Sequence, residues 1–307
     1  MNLTAEILEQ LLKKTLSEYS NIKLIQFSDE YISSLQITHS PAYVKTVQSA
    51  FNMFVKYTGN IPLIKISPRL IDKFVIYTFS RSKPAAALYY RTLKAAFSKA
   101  VIWGYVPSNQ FTKVKLPRFQ KPKPAFLESD QLNKIIAFIP EHLKDIYLFL
   151  FLTGLRLGEL VSLKWNNVNL RERTLEIGDE TFTTKSKQIR VIPICETAFN
   201  ILAKRIPKVY RKDGNYVFPK DSGYHYSVNY LSKRFKKALR KAGLNENIKA
   251  HSLRHSFASN LIKSGVSLYE IKELLGHRDI STTQIYSHLQ ISTLKAAVNK
   301  LDIAAES

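Results

Sequence analysis

The chain has 307 residues, 45% hydrophobic and 23% charged, and its 46 Lys and Arg against 24 Asp and Glu give a formal charge of +22. That length exceeds one ordinary core and fits two domains, the composition is that of a folded globular protein, and the cationic excess selects polyanions or an anionic surface as partners. The single cysteine, Cys195, excludes an internal disulfide framework and a cysteine-based zinc site, and it fits a reducing compartment.

The first residues, MNLTAEILEQLLKK, carry Glu6 and Glu9 and lack an uninterrupted apolar stretch, so no secretory signal is expected. A helix is expected over roughly Ala5 to Tyr19. Residues 1–30 hold three basic and five acidic side chains, whereas residues 31–127 hold fifteen basic side chains and one acid, Asp72. An ordinary solvated surface mixes both signs, so the second segment reads as a phosphate-backbone binder acting through counterion release. Ser40-Pro41 opens a helix toward Gly59, Ser67-Pro68 opens another, and a third runs from about Pro84 to Trp103 and stops at Gly104. In the first two, serine stands at the N-cap and proline at the first helical position. Val44, Val47, Phe51, Phe54 and Val55 share one helical face. This segment is a small all-helical domain.

Leu116 to Pro124 holds three prolines with Lys115, Arg118, Lys121 and Lys123 in and beside it, which favours an extended basic linker. From Phe126 the pattern is helical again. Its longest apolar run, Ile146 to Leu155, is about half of what a membrane span needs and reads as a buried helix. Arg173–Ile177, Thr181–Thr184 and Ile189–Ile194 alternate like a three-stranded meander. Helices resume at Ala198–Arg205, Ser227–Lys241, Leu253–Lys263, Leu268–Leu275 and Thr293–Leu301. The expected fold is therefore mainly α, a helical domain followed by a mostly helical α/β domain with a small antiparallel β-sheet.

Four separated segments carry residue types suited to chemistry. Arg156 follows a strongly apolar helix in Thr153-Gly-Leu-Arg-Leu-Gly-Glu159, and a guanidinium can grip two phosphate oxygens without ever deprotonating. Lys185 sits at a hairpin turn, where it could present an amine to a backbone oxygen. His251-Ser-Leu-Arg254 starts a helix and places a proton-transfer group and a permanent cation on one face. Leu275-Gly-His277 precedes Tyr286 by nine residues. Each has an ordinary explanation alone: a structural arginine, a solubilising lysine, a core histidine, a packing tyrosine.

Their order is more specific. TGLRLGE (153–159), TKSKQIRVIPI (184–194), HSLRHSFAS (251–259), LLGH (274–277) and IYSH (285–288) together resemble the catalytic domain of the tyrosine recombinases, the phage-integrase type, with an Xer-like outline. The resemblance spans about 126–290, and the basic helical segment resembles the SAM-like core-binding domain of that family. It implies domains at 1–115 and 127–307 joined by a linker at 116–126. It implies Tyr286 as nucleophile, Arg156 and Arg254 as a clamp on the phosphate, and His277 as a hydrogen-bond donor. His251 would be base or orienting partner for the tyrosine proton, and Lys185 the general acid for the leaving 5′ oxygen. Glu159 would support Arg156, while His255 and His288 are left as structural or supporting residues.

The resemblance further implies double-stranded DNA as substrate, a 3′-phosphotyrosyl intermediate, and neither metal nor cofactor nor ATP. It implies a homotetramer on two sites, tied by a C-terminal tail whose Ile291, Leu294, Ala297, Val298 and Leu301 form one apolar face. The expected location is cytoplasmic, on the nucleoid, with no membrane association, and an accessory protein setting direction is left open. Two rivals remain at this point. Leu253–Lys263 and Leu268–Leu275, joined by Ser264-Gly-Val266, also scan as the helix-turn-helix of a DNA-binding regulator. A type IB topoisomerase would share the chemistry and relax supercoils.

Overall fold

The computed structural model describes residues 21–119, 125–178, 189–207 and 215–289. The expected helices at 5–19 and 293–301, the strand at 181–184, Lys185 and the centre of the proline segment lie outside the described residues. The chain divides into two compact units, residues 1–121 and 122–307.

Among its described residues the first unit contains four α-helices: α1 (Leu24–Gln36), α2 (Pro41–Thr58), α3 (Pro68–Arg81) and α4 (Lys83–Ile102). The cap signals act as expected. Ser40, Ser67 and Ser82 each accept a hydrogen bond from the backbone N–H three residues on, and a proline occupies the first turn of α2, α3 and α4. α1 lacks such a signal, because Lys23 at its N-cap makes no side-chain cap bond, and sequence reading passed over it. Val47, Phe51 and Phe54 of the anticipated face are buried, with Phe27, Phe74, Phe97 and Phe111 completing an aromatic core. Its rings meet edge-on or tilted, with Phe54–Phe74 and Phe97–Phe111 centroids both 4.9 Å apart. The Tyr90 hydroxyl is held by the carbonyls of Phe111 and Val114 at 2.8 and 2.6 Å, which fastens the segment after α4 onto that helix.

The second unit begins with α5 (Ser129–Ile136), α6 (Glu141–Thr153) and α7 (Leu157–Ser162). The apolar run read as a buried helix is the second half of α6, where Ile146, Tyr147, Phe149 and Leu150 are buried. Strands β1 (Val168–Asn169), β2 (Thr174–Ile177) and β3 (Arg190–Pro193) form an antiparallel sheet in that order. Among the described residues β2 pairs directly with β3, with Leu175 opposite Ile192 and Ile177 opposite Arg190, and β1, which the sequence reading did not anticipate, pairs with the other edge of β2. At two residues, β1 is too short to alternate visibly.

Four helices follow, α8 (Glu196–Ala203), α9 (Val228–Lys241), α10 (Ser252–Lys263) and α11 (Leu268–Leu275), then short 3-10 turns at Ile280–Thr282 and Gln284–Leu289. α10 packs against α6, α11 and the 284–289 turn, which makes it the axle of this unit. The Ser256 hydroxyl on α10 accepts from the Leu127 N–H at 2.7 Å, tying the start of the unit to its centre. No described helix is long and apolar enough to cross a membrane.

Gly154 is the tightest point of this packing. It ends α6 in the left-handed region at φ +64°, and a Cβ there would lie 2.4 Å from the Phe257 ring on α10. Gly154→Ala is expected to cost about 1–2 kcal/mol for the backbone and about 1–3 kcal/mol for the overpacking. Gly243→Ala also has positive φ but meets no atom within 4 Å, so it should lose the backbone part only. Urea unfolding of the two variants measures the difference.

Candidate active site

The motif at 153–159 folds as a stop and a restart. Gly154 takes the left-handed conformation that ends α6, Arg156 is extended at φ −68° and ψ 145°, and α7 begins behind it. Glu159, at the third helical position, reaches back to the cap. Its carboxylate accepts from the Arg156 backbone N–H at 2.9 Å and from Arg156 Nη1 at 2.7 Å.

The same carboxylate holds a second arginine. Arg190 of β3 donates Nη2 to Oε2 at 2.6 Å and Nη1 to Oε1 at 3.3 Å, while its Nε donates to the Leu274 carbonyl at 3.1 Å. Glu159 and Arg190 are 5% and 8% exposed, so this is a buried ion pair whose remaining polar atoms are satisfied. Burial alone would raise the Glu159 carboxyl. The hydrogen bonds and charges of Arg190 and Arg156 outweigh it and hold the group below the usual carboxylate range.

Arg254 is 3% exposed. Its guanidinium donates to the Gly154 carbonyl at 2.8 Å and to the Leu275 carbonyl at 2.5 Å, so one side chain joins the 153–159 motif to the end of α11. Burial and then the like charge of Arg156 lower it to about 9, which leaves it cationic at neutral pH. Arg156 is the accessible member, with a side chain 30% exposed and one further donation to the Gly276 carbonyl at 3.4 Å.

His277 follows Gly276, whose left-handed φ of 63° ends α11, and its Nδ1 pairs with the Thr283 hydroxyl at 2.9 Å. Burial, then Arg254 and Arg156, depress its imidazole to about 4. His251 caps α10 at the rim of the cluster and is lowered by desolvation, then by Arg254 and Arg156, against a small opposing effect of Glu159. Tyr286 is 3% exposed, packed with Ala258, Ile262, Ile271 and Leu275, and burial pushes its hydroxyl up to about 12 despite Arg254. Thus Arg156, Glu159, His251, Arg254, His277 and Tyr286 converge, whereas Lys185 lies outside the described residues.

Two members of the cluster were missed or set aside in the sequence. Arg190, five residues after Lys185, is one basic residue among several there, and only the fold reveals its partner. His255, left as structural or supporting, is the hydrogen-bond partner of the Tyr286 hydroxyl through Nδ1. The sequence expectation had His251 next to that hydroxyl. A clue existed, since His255 is one helical turn beyond His251 and shares its face.

Among the described residues the site therefore gathers three guanidiniums and three histidines around one carboxylate. Such a site is preorganised for an oxyanion, with donors already fixed and a phenol beside them. The phage integrase family model matches residues 125–292, and the phage integrase SAM-like domain model matches residues 23–116. Tyrosine recombinase XerD of Rickettsia bellii is 34% identical over 256 residues, covering 76% of this chain and 83% of its own. A tyrosine recombinase of Thermosipho africanus is 26% identical over 294 residues, covering 91% and 99%. The fold is shared with the Tn1549 transposon integrase in complex with a circular intermediate DNA (TM-score 0.73, 18% identity, covering 89% and 99%). It is shared too with a lambda integrase dimer bound to a core site (TM-score 0.71, 20% identity, covering 85% and 97%). The chain belongs to the phage integrase family and is a tyrosine site-specific recombinase. The regulator and topoisomerase readings give way to that membership, and a helix-turn-helix alone leaves the buried Arg254–Tyr286 cluster without a role.

The depressed groups set a sign for stability. His277 has a folded value below its unfolded one, so the unfolded chain binds more protons between them, and stability is lost as pH falls from about 6.5 toward 4. Glu159 adds a loss with the same sign lower down, below the ordinary carboxylate value. His277→Gln should therefore flatten the upper part of this loss, by on the order of 2 kcal/mol between pH 7 and 4.5. Thermal unfolding of both proteins across that range checks it, and parallel curves would mean that His277 titrates normally.

Proposed function

We propose that this recombinase cuts double-stranded DNA at a specific site through covalent attack by Tyr286 and rejoins the strand to a partner duplex. The convergence of Tyr286 with Arg156, Arg254 and His277 carries the reading. Phosphodiester cleavage without a metal must neutralise the two non-bridging oxygens of a crowded phosphorane. Arg156 and Arg254 supply fixed cationic donors for them, and His277, neutral and held through Nδ1, offers its other ring nitrogen as a donor. Glu159 keeps Arg156 in place from behind. Lys185 is assigned to protonate the leaving 5′ oxygen, a role that rests on the sequence motif alone. The 3′-phosphotyrosyl link conserves the energy of the broken bond, so religation needs no ATP.

Residues 1–115 serve as the core-binding domain, 116–126 as linker and 127–307 as catalytic domain and tail. The related structures named for complexes with DNA, including a lambda integrase tetramer on a Holliday junction, support a synaptic tetramer on two sites. Docking of the 291–301 apolar face into a neighbouring protomer would couple cleavage to synapsis, and an accessory protein would fix direction. The cytoplasmic nucleoid is the compartment where such a reaction belongs.

The test begins with footprinting on the DNA flanking the gene, where paired inverted repeats mark the site. A duplex of that site, nicked to trap the intermediate, should yield a covalent adduct on a denaturing gel. Tyr286→Phe should bind within about two-fold of wild type and form no adduct, because only the nucleophilic oxygen is removed. An adduct from the Phe variant assigns the nucleophile elsewhere.

A further inference from the structure

The hydrogen bond to Tyr286 distinguishes two histidines that the sequence does not. His251 and His255 lie one turn apart on α10, their rings edge to face at 4.9 Å. His251 is the exposed N-cap residue of α10. His255 is one turn deeper, on the side of α10 that packs against the 284–289 turn, and there its Nδ1 meets the Tyr286 hydroxyl. Neutral imidazole carries one N–H and one lone pair, and which nitrogen holds which is set by its partners. A phenol at neutral pH has a proton to donate, and this hydroxyl is buried with His255 as its hydrogen-bond partner. The consistent assignment is the tautomer with Nε2 protonated and Nδ1 accepting.

Resting on the proposed role of Tyr286, we propose that His255 is a further catalytic residue, whose Nδ1 takes the Tyr286 proton as the phenolic oxygen attacks phosphorus. The step balances as follows. The Tyr286 O–H bond breaks and its proton passes to Nδ1, giving an imidazolium. The Tyr286 oxygen–phosphorus bond forms while the bond from phosphorus to the 5′ oxygen breaks, and the departing oxygen collects a proton from the general acid. Religation runs the same transfers backward, the imidazolium returning its proton to the phenol. His251 then orients the His255 ring from the rim.

The surroundings explain why this transfer waits for DNA. His255 is desolvated and faces His251 and Arg254 on α10, with His277 beside it after α11, while Arg156 from the α6–α7 junction acts on both His251 and His277. Burial first, then His251 and Arg254, hold the His255 imidazole at about 4, and burial holds the phenol at about 12, so in the free protein the proton stays on Tyr286. A phosphodiester entering between Arg156 and Arg254 brings the negative charge that this cluster lacks. It offsets the guanidinium charges and favours the imidazolium. The scissile phosphate thereby switches on the base that activates its own attacker.

Single-turnover cleavage of the nicked site duplex by the full chain, followed from pH 5.5 to 9, tests this. His255→Gln should bind the duplex within two-fold of wild type and cleave about 100-fold more slowly or worse, the lower end of what general-base catalysis supplies. Its rate should also lose the acid limb and rise steadily with pH as hydroxide takes over proton removal. His251→Gln should slow cleavage yet keep the acid limb. Wild-type or faster cleavage by His255→Gln would overturn the proposal and make the hydrogen bond a mere restraint on an idle nucleophile. Retention of the acid limb by His255→Gln and its loss by His251→Gln would return the base to His251. Should the variant fail to bind DNA, nitrogen-15 spectra of histidine-labelled wild type decide instead, with the Nε2–H tautomer expected at His255 and the Nδ1–H tautomer contradicting it. Absence of any adduct from wild type is a separate outcome, which defeats the proposed function itself.

Discussion

The buried carboxylate of Glu159 is the interaction on which the site depends. Three guanidiniums drawn together in a desolvated space repel one another, and without a counter-charge the arrangement would open or exclude one of them. Glu159 meets two of them, receiving Arg156 from its own turn and Arg190 from β3. Arg190 in turn grips the Leu274 carbonyl, and Arg254 joins Gly154 to Leu275. One acid and two arginine braces thus fix the junction before α7, the edge strand and the end of α11 in one geometry. Deleting Glu159 leaves Arg190 uncompensated in the interior, which costs more than the pair contributes, whereas deleting Arg190 leaves Glu159 with Arg156 as its remaining partner.

A single acid among the three guanidiniums of the described site also leaves it short of negative charge, and the consequences are visible in its titrating groups. His255 and His277 are both held neutral and Tyr286 is held protonated. The proposed nucleophile is buried with its hydroxyl hydrogen-bonded to the proposed base, which in the free protein does not take the proton. This is a resting state built by desolvation and like charge. On the proposed mechanism a phosphodiester supplies negative charge that the site lacks, so binding and activation would be one electrostatic event. The same logic at longer range accounts for residues 31–127, where fifteen cations meet one acid and attraction to a polyanion needs no particular contact.

Most of this was legible in the sequence because the determining chemistry is local. Ser-Pro pairs at 40–41 and 67–68 specify caps and first turns without reference to anything distant, and α2 and α3 start there. Gly154 and Gly276 announce helix ends that place Arg156 and His277. What stayed hidden is tertiary. Arg190 sits among Lys185, Lys187 and other polar residues, and nothing nearby says that it is the one turned inward to Glu159. β1 is two residues long and exists only because β2 lies beside it. α1 has no capping side chain of its own, its Ile25 N–H being taken up by the distant Asn60 Oδ1 at 3.0 Å, and it is held by its buried face, Leu24, Phe27, Tyr31, Ile32 and Leu35. His255 was set aside because the motif directs attention to His251, and a one-turn offset along α10 becomes decisive only when the Tyr286 turn is packed against it.

The account's central claim is that Tyr286 is the atom donor in a covalent protein–DNA link, and mapping that link tests it most directly. The wild-type adduct on the nicked duplex is digested with trypsin and nuclease, and the nucleotide-bearing peptide is sequenced by mass spectrometry. The account predicts a nucleotide on Tyr286, in the peptide that begins at Asp279. A nucleotide on any other residue, the exposed Tyr269 of α11 included, would contradict it.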